Sequence, residues 1–132
     1  MANKIRAISA YRPKIKHGLS VDVKEASDLI AGRSSLNEGG VHDSLLEYRN
    51  VCIQSMRTGR SVKLMGLGLL SPSISLDGSI KVSFRADREL IGELNKKNAG
   101  FKGQIINRDM IGKTVDDLVA RWNTEHPDDP VV

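Results

Sequence analysis

The sequence predicts an α+β fold, and three observations carry that reading. Apolar residues recur at helical spacing through residues 20 to 59, the period drops to two across residues 60 to 84, and helical spacing returns after Asp87. Within the period-two stretch lies an Asp77-Gly78 pair, the strongest hairpin signal in the chain.

The elements follow in order. Residues 5 to 16, "IRAISAYRPKIK", are short and broken by Pro13, and predict a strand or extended arm. Asp22 then offers a cap for a short amphipathic helix with Val23, Ala26, Leu29 and Ile30 on one face, ending near Gly32. Ser35 and Glu38 have capping-box spacing for a second helix that places Val41, Leu45, Tyr48, Val51, Cys52 and Met56 on one side and ends at Gly59. Leu46 and Ile53 widen its apolar stripe beyond what one partner helix covers, which points to a second buried surface. "RSVKLM" alternates as a half-buried strand, and Gly66 and Gly68 flank Leu67 at a tight bend or close backbone approach. Two strands, about Leu69 to Leu76 and Ser79 to Phe84, follow around the Asp-Gly turn, with Pro72 restricting its strand to an edge or bulge. Asp87 caps a helix over residues 87 to 97, and Thr114 caps a last one with Val115, Leu118, Val119 and Trp122 at i, i+3, i+4 and i+7. That helix should dock its tryptophan, while "TEHPDDPVV" reads as a mobile acidic tail.

The domain reading is therefore an N-terminal arm or strand (1–19), a compact α+β domain (20–98) and a C-terminal extension with a short helix and an acidic tail (99–132). A core of fewer than about 80 residues buries little apolar surface by itself, and homodimerisation through the second helix would resolve that shortage.

Composition sets the function classes. No apolar run reaches the roughly 20 residues of a membrane helix, and the start lacks a secretory pattern, so a cytoplasmic location is expected. The single cysteine, Cys52, allows no intrachain disulfide and reads as a small buried side chain. His17, His42 and His126 are scattered with no metal-ligand spacing, so neither catalysis nor a metal, cofactor or small-molecule substrate is expected. Counting Lys and Arg against Asp and Glu, residues 1 to 25 carry +4, 26 to 56 carry −2, 57 to 102 carry +5 and 103 to 132 carry −3. A footprint of this kind suits a polyanion such as nucleic acid.

The residues "TGRSVKLMGLG", followed by strands and "SFRADREL", resemble the HU and integration-host-factor family of bacterial histone-like DNA-binding proteins. Gly66, Leu67 and Gly68 match that family's turn, and Phe84, Arg85, Ala86 and Arg88 match the opening of its last helix, with Asp87 in place of a glycine. The likeness covers roughly residues 20 to 97. It implies two N-terminal helices, a three-stranded antiparallel sheet, an intertwined homodimer and a paired β-saddle that holds double-stranded DNA with little sequence preference, in an architectural role at the bacterial nucleoid. Typical family members carry a long basic arm with a tip proline that wedges between base steps. Here the strands join at "LDGS", so the arm is shortened and intercalative bending is not implied.

On that resemblance the candidate DNA-contacting residues are Arg60, Lys63, Lys81, Arg85 and Arg88, flanked by Lys96, Lys97 and Lys102. The rival reading is a dimeric protein-interaction or scaffold module that has lost DNA binding, supported by the missing arm tip, the acidic C-terminal segment and the Trp122 helix. A third reading folds that acidic segment over the basic saddle.

Overall fold

The computed structural model describes residues 2–132. Among them the order is α1 (Lys4–Tyr11), β1 (Lys14–Ile15), α2 (Val23–Arg33), α3 (Glu38–Arg57), β2 (Val62–Leu64), β3 (Gly68–Ile74), β4 (Ile80–Ala86), α4 (Arg88–Leu94), β5 (Ile105–Ile106), a 3-10 turn (Arg108–Met110) and α5 (Val115–Glu125). The architecture is mixed α+β with two small antiparallel sheets, β1-β5 and β2-β3-β4. The chain divides into two compact units: Leu19–Phe101, and the two chain ends together, up to Gly18 and from Lys102 to Val132. No helix among the described residues is long and apolar enough to cross a membrane.

In the central unit α2 packs against α3 as a helical hairpin. Asp22 caps α2 by accepting from the Glu25 amide at 2.9 Å, as the sequence predicts. The expected Ser35–Glu38 capping box does not form: Asn37 is the cap of α3 and accepts from the Gly40 amide at 2.7 Å. Glu38 instead turns its carboxyl to Asp28 on α2, a hydrogen bond between two acids that raises its pKa. Ser27, which is fully buried, donates to the Val23 carbonyl at 2.7 Å and so places no unsatisfied hydroxyl in the crossing.

Gly59, at φ +83°, ends α3 and turns the chain into the β2-β3-β4 meander. The Tyr48 hydroxyl reaches the Lys63 carbonyl at 3.4 Å, tying α3 to β2. After β4, Asp87 caps α4, which is shorter than the sequence suggests. Asn95 ends it by turning its side-chain amide back onto the Ile91 carbonyl at 2.8 Å. Among the described residues of this unit only Ser27, Val41 and Cys52 are buried, a small core for its length.

The second unit overturns two expectations. Residues Lys4–Tyr11 are a helix, not an arm or strand: Asn3 caps them by accepting from the Arg6 amide at 3.0 Å, and they stop at Arg12, the residue before Pro13. An isolated helix of this length is marginal in water. It forms here because Ala7 and Tyr11, one turn apart, pack with Leu118 and Trp122 of α5, Met110, Ala2 and Val131 in one core. The tail is ordered rather than mobile. The Trp122 Nε1 donates to the Asp129 carbonyl at 2.7 Å, Asn123 brackets Val131 with bonds of 2.6 and 3.2 Å, and Val131 bridges Ala2 in parallel. The Thr114–Asp117 capping box that starts α5 forms as the sequence predicts.

Candidate nucleic-acid interface

The register of the meander decides which side chains share a face. Val62 pairs with Leu70, Lys63 with Leu69 and Leu64 with Gly68. Across β3 and β4 the pairs run from Gly68–Ala86 through Leu69–Arg85, Leu70–Phe84, Ser71–Ser83, Pro72–Val82 and Ser73–Lys81 to Ile74–Ile80. Directly opposed residues point to the same side and neighbours along a strand to opposite sides. One face therefore gathers Val62, Leu64, Leu70, Pro72, Ile74, Ile80, Val82 and Phe84. The other gathers Lys63, Leu69, Ser71, Ser73, Lys81, Ser83 and Arg85, with Ser61 joined to Ser71 through their hydroxyls at 3.0 Å.

This division is sharp. Three of the candidate cations and the strand serines lie on one side, and the opposite side is apolar. Lys63, Leu69 and Arg85 form a single cross-strand row, and Lys81 stands on the same face four residues from Arg85, about 13 Å along the strand. Arg88, the first residue of α4, joins Lys63, Gly66 and Arg85 around a concavity of about 570 Å³.

Two glycines make this arrangement. Gly66 has φ +68°, which closes the turn from β2 to β3, and the Leu67 amide donates to the Leu64 carbonyl at 3.0 Å across it. A Cβ on Gly68 would lie 2.5 Å from the Phe84 ring and closer still to the Arg85 carbonyl oxygen. Only glycine lets β3 approach β4 this tightly, so the motif read as a bend also fixes where Arg85 stands.

The hairpin tip is built by Asp77, whose carboxylate accepts from the Ser79 amide at 3.0 Å and the Ser79 hydroxyl at 2.7 Å. Those bonds hold its pKa below the ordinary value, so the tip carries a negative charge. Gly78 completes the turn at φ +87°.

The other candidates fall elsewhere. Arg60 lies in the turn before β2, its amide on the Ser55 carbonyl at 3.2 Å, and it shares strand parity with Val62 rather than Lys63. Lys96 is paired with Glu93 at 2.6 Å, and Lys97 sits exposed beyond α4. Lys102 belongs to the unit formed by the chain ends, not to the unit that carries the meander. The serines were missed by a reading that weighed charge alone; their signal was the alternation of Ser71, Ser73 and Ser83 with apolar residues.

Four of the six acidic residues of the C-terminal segment have partners in their own unit. Arg121 holds Asp109 and Glu125, each at 3.1 Å, Asp129 meets Arg6 at 3.3 Å, and Asp117 serves the α5 cap. Chemically the polar face offers ammonium, guanidinium and hydroxyl donors to a row of anionic oxygens, with no geometry that distinguishes one base from another. No family model matches the chain, and no curated protein matches it.

Proposed function

We propose that the chain is an HU-like, homodimeric protein that binds double-stranded DNA through its phosphates, with little sequence preference, in an architectural role at the nucleoid. The observation that carries this reading is the two-sided meander: Lys63, Lys81 and Arg85 with the serines on one face, and an unbroken apolar face behind them. Each face calls for its own partner. The cations suit a polyanion. The apolar face leaves Ile74 at 70%, Ile80 at 65%, Val82 at 55% and Phe84 at 52% exposure, far more than a folded single chain conceals at such positions. A second copy laid against that face and against the exposed Leu46 and Val51 of α3 supplies the missing core, worth roughly 1 kcal/mol for each half-exposed side chain it covers.

The test is anisotropy of a mixed-sequence duplex of about 30 base pairs across salt, with sedimentation of the free protein alongside. Three meander cations from each of two copies contribute about −5 to the slope of log K against log salt, at about 0.9 per phosphate. Arg85→Ala with Arg88→Ala should make that slope shallower. A dimer that binds no duplex at low salt would replace the DNA reading with the interaction-module one, and a monomer would remove the saddle itself.

A further inference from the structure

A second concentration of positive charge lies outside the meander. Residues 12 to 18 and 102 to 108, the segments next to the chain's two crossings between units, hold five of its 20 Lys and Arg and none of its 16 Asp and Glu. The remainder carries 15 against 16, a net −1, because the surplus around the meander is offset by acids elsewhere, whereas these two segments hold Arg12, Lys14, Lys16, Lys102 and Arg108 with no acid between them.

These five are brought together by a small built structure. β1 and β5 pair antiparallel, Lys14 opposite Ile106 and Ile15 opposite Ile105, and the Lys16 amide extends the ladder to the Gln104 carbonyl at 3.0 Å. Lys14 and Lys16 therefore share one face, about 7 Å apart along the strand. Asn107, at φ +59°, clamps the far end: its side-chain amide donates to the Ala10 carbonyl at 2.9 Å and to the Arg12 carbonyl at 3.1 Å. That clamp sets Arg12 beside the turn that starts at Arg108, while Lys102 lies two residues before Gln104. Four of the five are exposed and Lys14 is half-buried. Among the described residues none of them makes an ion pair, and Arg121 and Arg6 hold Asp109, Glu125 and Asp129 of the same unit.

We infer that this terminal ribbon is a second duplex-contacting surface, in which Arg12, Lys14, Lys16, Lys102 and Arg108 neutralise DNA phosphates separately from the meander. A cluster of like charges whose adjoining carboxylate, Asp109, is held by Arg121 is complementary to a polyphosphate, and such contacts are electrostatic and indifferent to sequence. The inference rests on the DNA reading above and adds to it a surface that belongs to the joined chain ends.

The experiment uses the full chain and the same 30-base-pair duplex. The variant carries Lys14→Ser, Lys16→Ser and Lys102→Ser, and its partner carries the same three positions changed to Arg. The single tryptophan, Trp122, is buried in this unit, so its emission reports whether the unit stays folded. Losing three phosphate contacts from each of two copies should make the salt slope shallower by about 5, so a rise from 50 to 200 mM salt weakens the Ser variant roughly 1,000-fold less than the parent. The Arg variant should keep the parent slope. Should the Ser variant lose its buried Trp122 emission, Arg12→Gln with Arg108→Gln takes its place, with a slope change of about 3.6 from two copies. A parent slope retained in a folded variant overturns the inference and leaves the meander reading standing. A shallower ribbon variant beside an unchanged Lys63→Ala, Lys81→Ala, Arg85→Ala variant upholds the ribbon and removes the meander. No binding by the parent chain overturns both.

Discussion

Gly68 offers the sharpest test of the register on which the polar face depends. An alanine there sets a methyl carbon 2.5 Å from Phe84 Cε2 and 2.7 Å from Cζ, where ordinary contact begins near 3.4 Å. The Phe84 ring can rotate away, since it is half-exposed. The Arg85 carbonyl cannot, because it is main chain in the strand paired to Leu69. Relief therefore means parting β3 from β4, at a cost of about 1–3 kcal/mol for overpacking and about 1 kcal/mol for each ladder bond lost. The stiffer unfolded chain offsets only about 0.4–1 kcal/mol of this. Overpacking wins, and Gly68→Ala should lose roughly 1–3 kcal/mol. Gly92→Ala provides the contrast, because nothing lies within 4 Å of the added carbon and the residue is interior to α4. It should gain about 0.5–1 kcal/mol. Urea denaturation at one fixed protein concentration measures both, since self-association makes stability depend on concentration. A Gly68→Ala protein within about 0.5 kcal/mol of the parent would refute the close approach and with it the Lys63–Leu69–Arg85 row.

Two pH dependences of opposite sign follow from the carboxylates. In the end unit, the Tyr11 hydroxyl and then Arg121 hold the Glu125 pKa below its ordinary 4.5, so its contribution is present above 4.5 and is lost as pH falls through the lower folded value. Trp122 emission should shift to the red in that acid range, and Tyr11→Phe should move the midpoint upward; a midpoint unchanged by the substitution would remove Tyr11 as the cause. In the central unit, the Asp28 carboxyl raises the Glu38 pKa, so the contribution is present below 4.5 and is lost as pH rises through the higher folded value. Glu38→Gln should raise Tm at pH 7 and leave it nearly level at pH 4, measured by circular dichroism, and an equal change at both pH values would argue against a shared proton.

The local chemistry of several elements could be read from the residues alone. Asp22, Asp87 and Thr114 cap the helices they were expected to cap, Asp77-Gly78 closes the hairpin, and the change of period at Gly59 marks where helix gives way to strand. These signals are legible because each is an interaction within a few residues of chain. Charge and the resemblance nominate Lys63, Lys81 and Arg85 along with other cations, and that these three share one face follows from the strand register.

Tertiary contacts decided the rest. Ile5 to Tyr11 is too short to be helical without support, and its support, Leu118 and Trp122, lies more than 100 residues further along. The tail after Glu125 has a disordered composition but is ordered by Asn123 and by Ala2 from the opposite end of the chain. Glu38 is the first residue of α3 rather than its third because Asn37 took the cap, and its pKa is raised by Asp28 on another helix. The basic ribbon is the clearest case: Lys14 and Lys102 stand in segments far apart in the sequence, and a two-residue ladder with one asparagine clamp puts those segments side by side. The sequence by itself determined the caps, the turns and the strand period, because those are settled by short-range sterics and hydrogen bonds. Only the tertiary structure decided that the two ends form a unit, since closing so long a loop is favourable only once a shared core exists to offset its entropy.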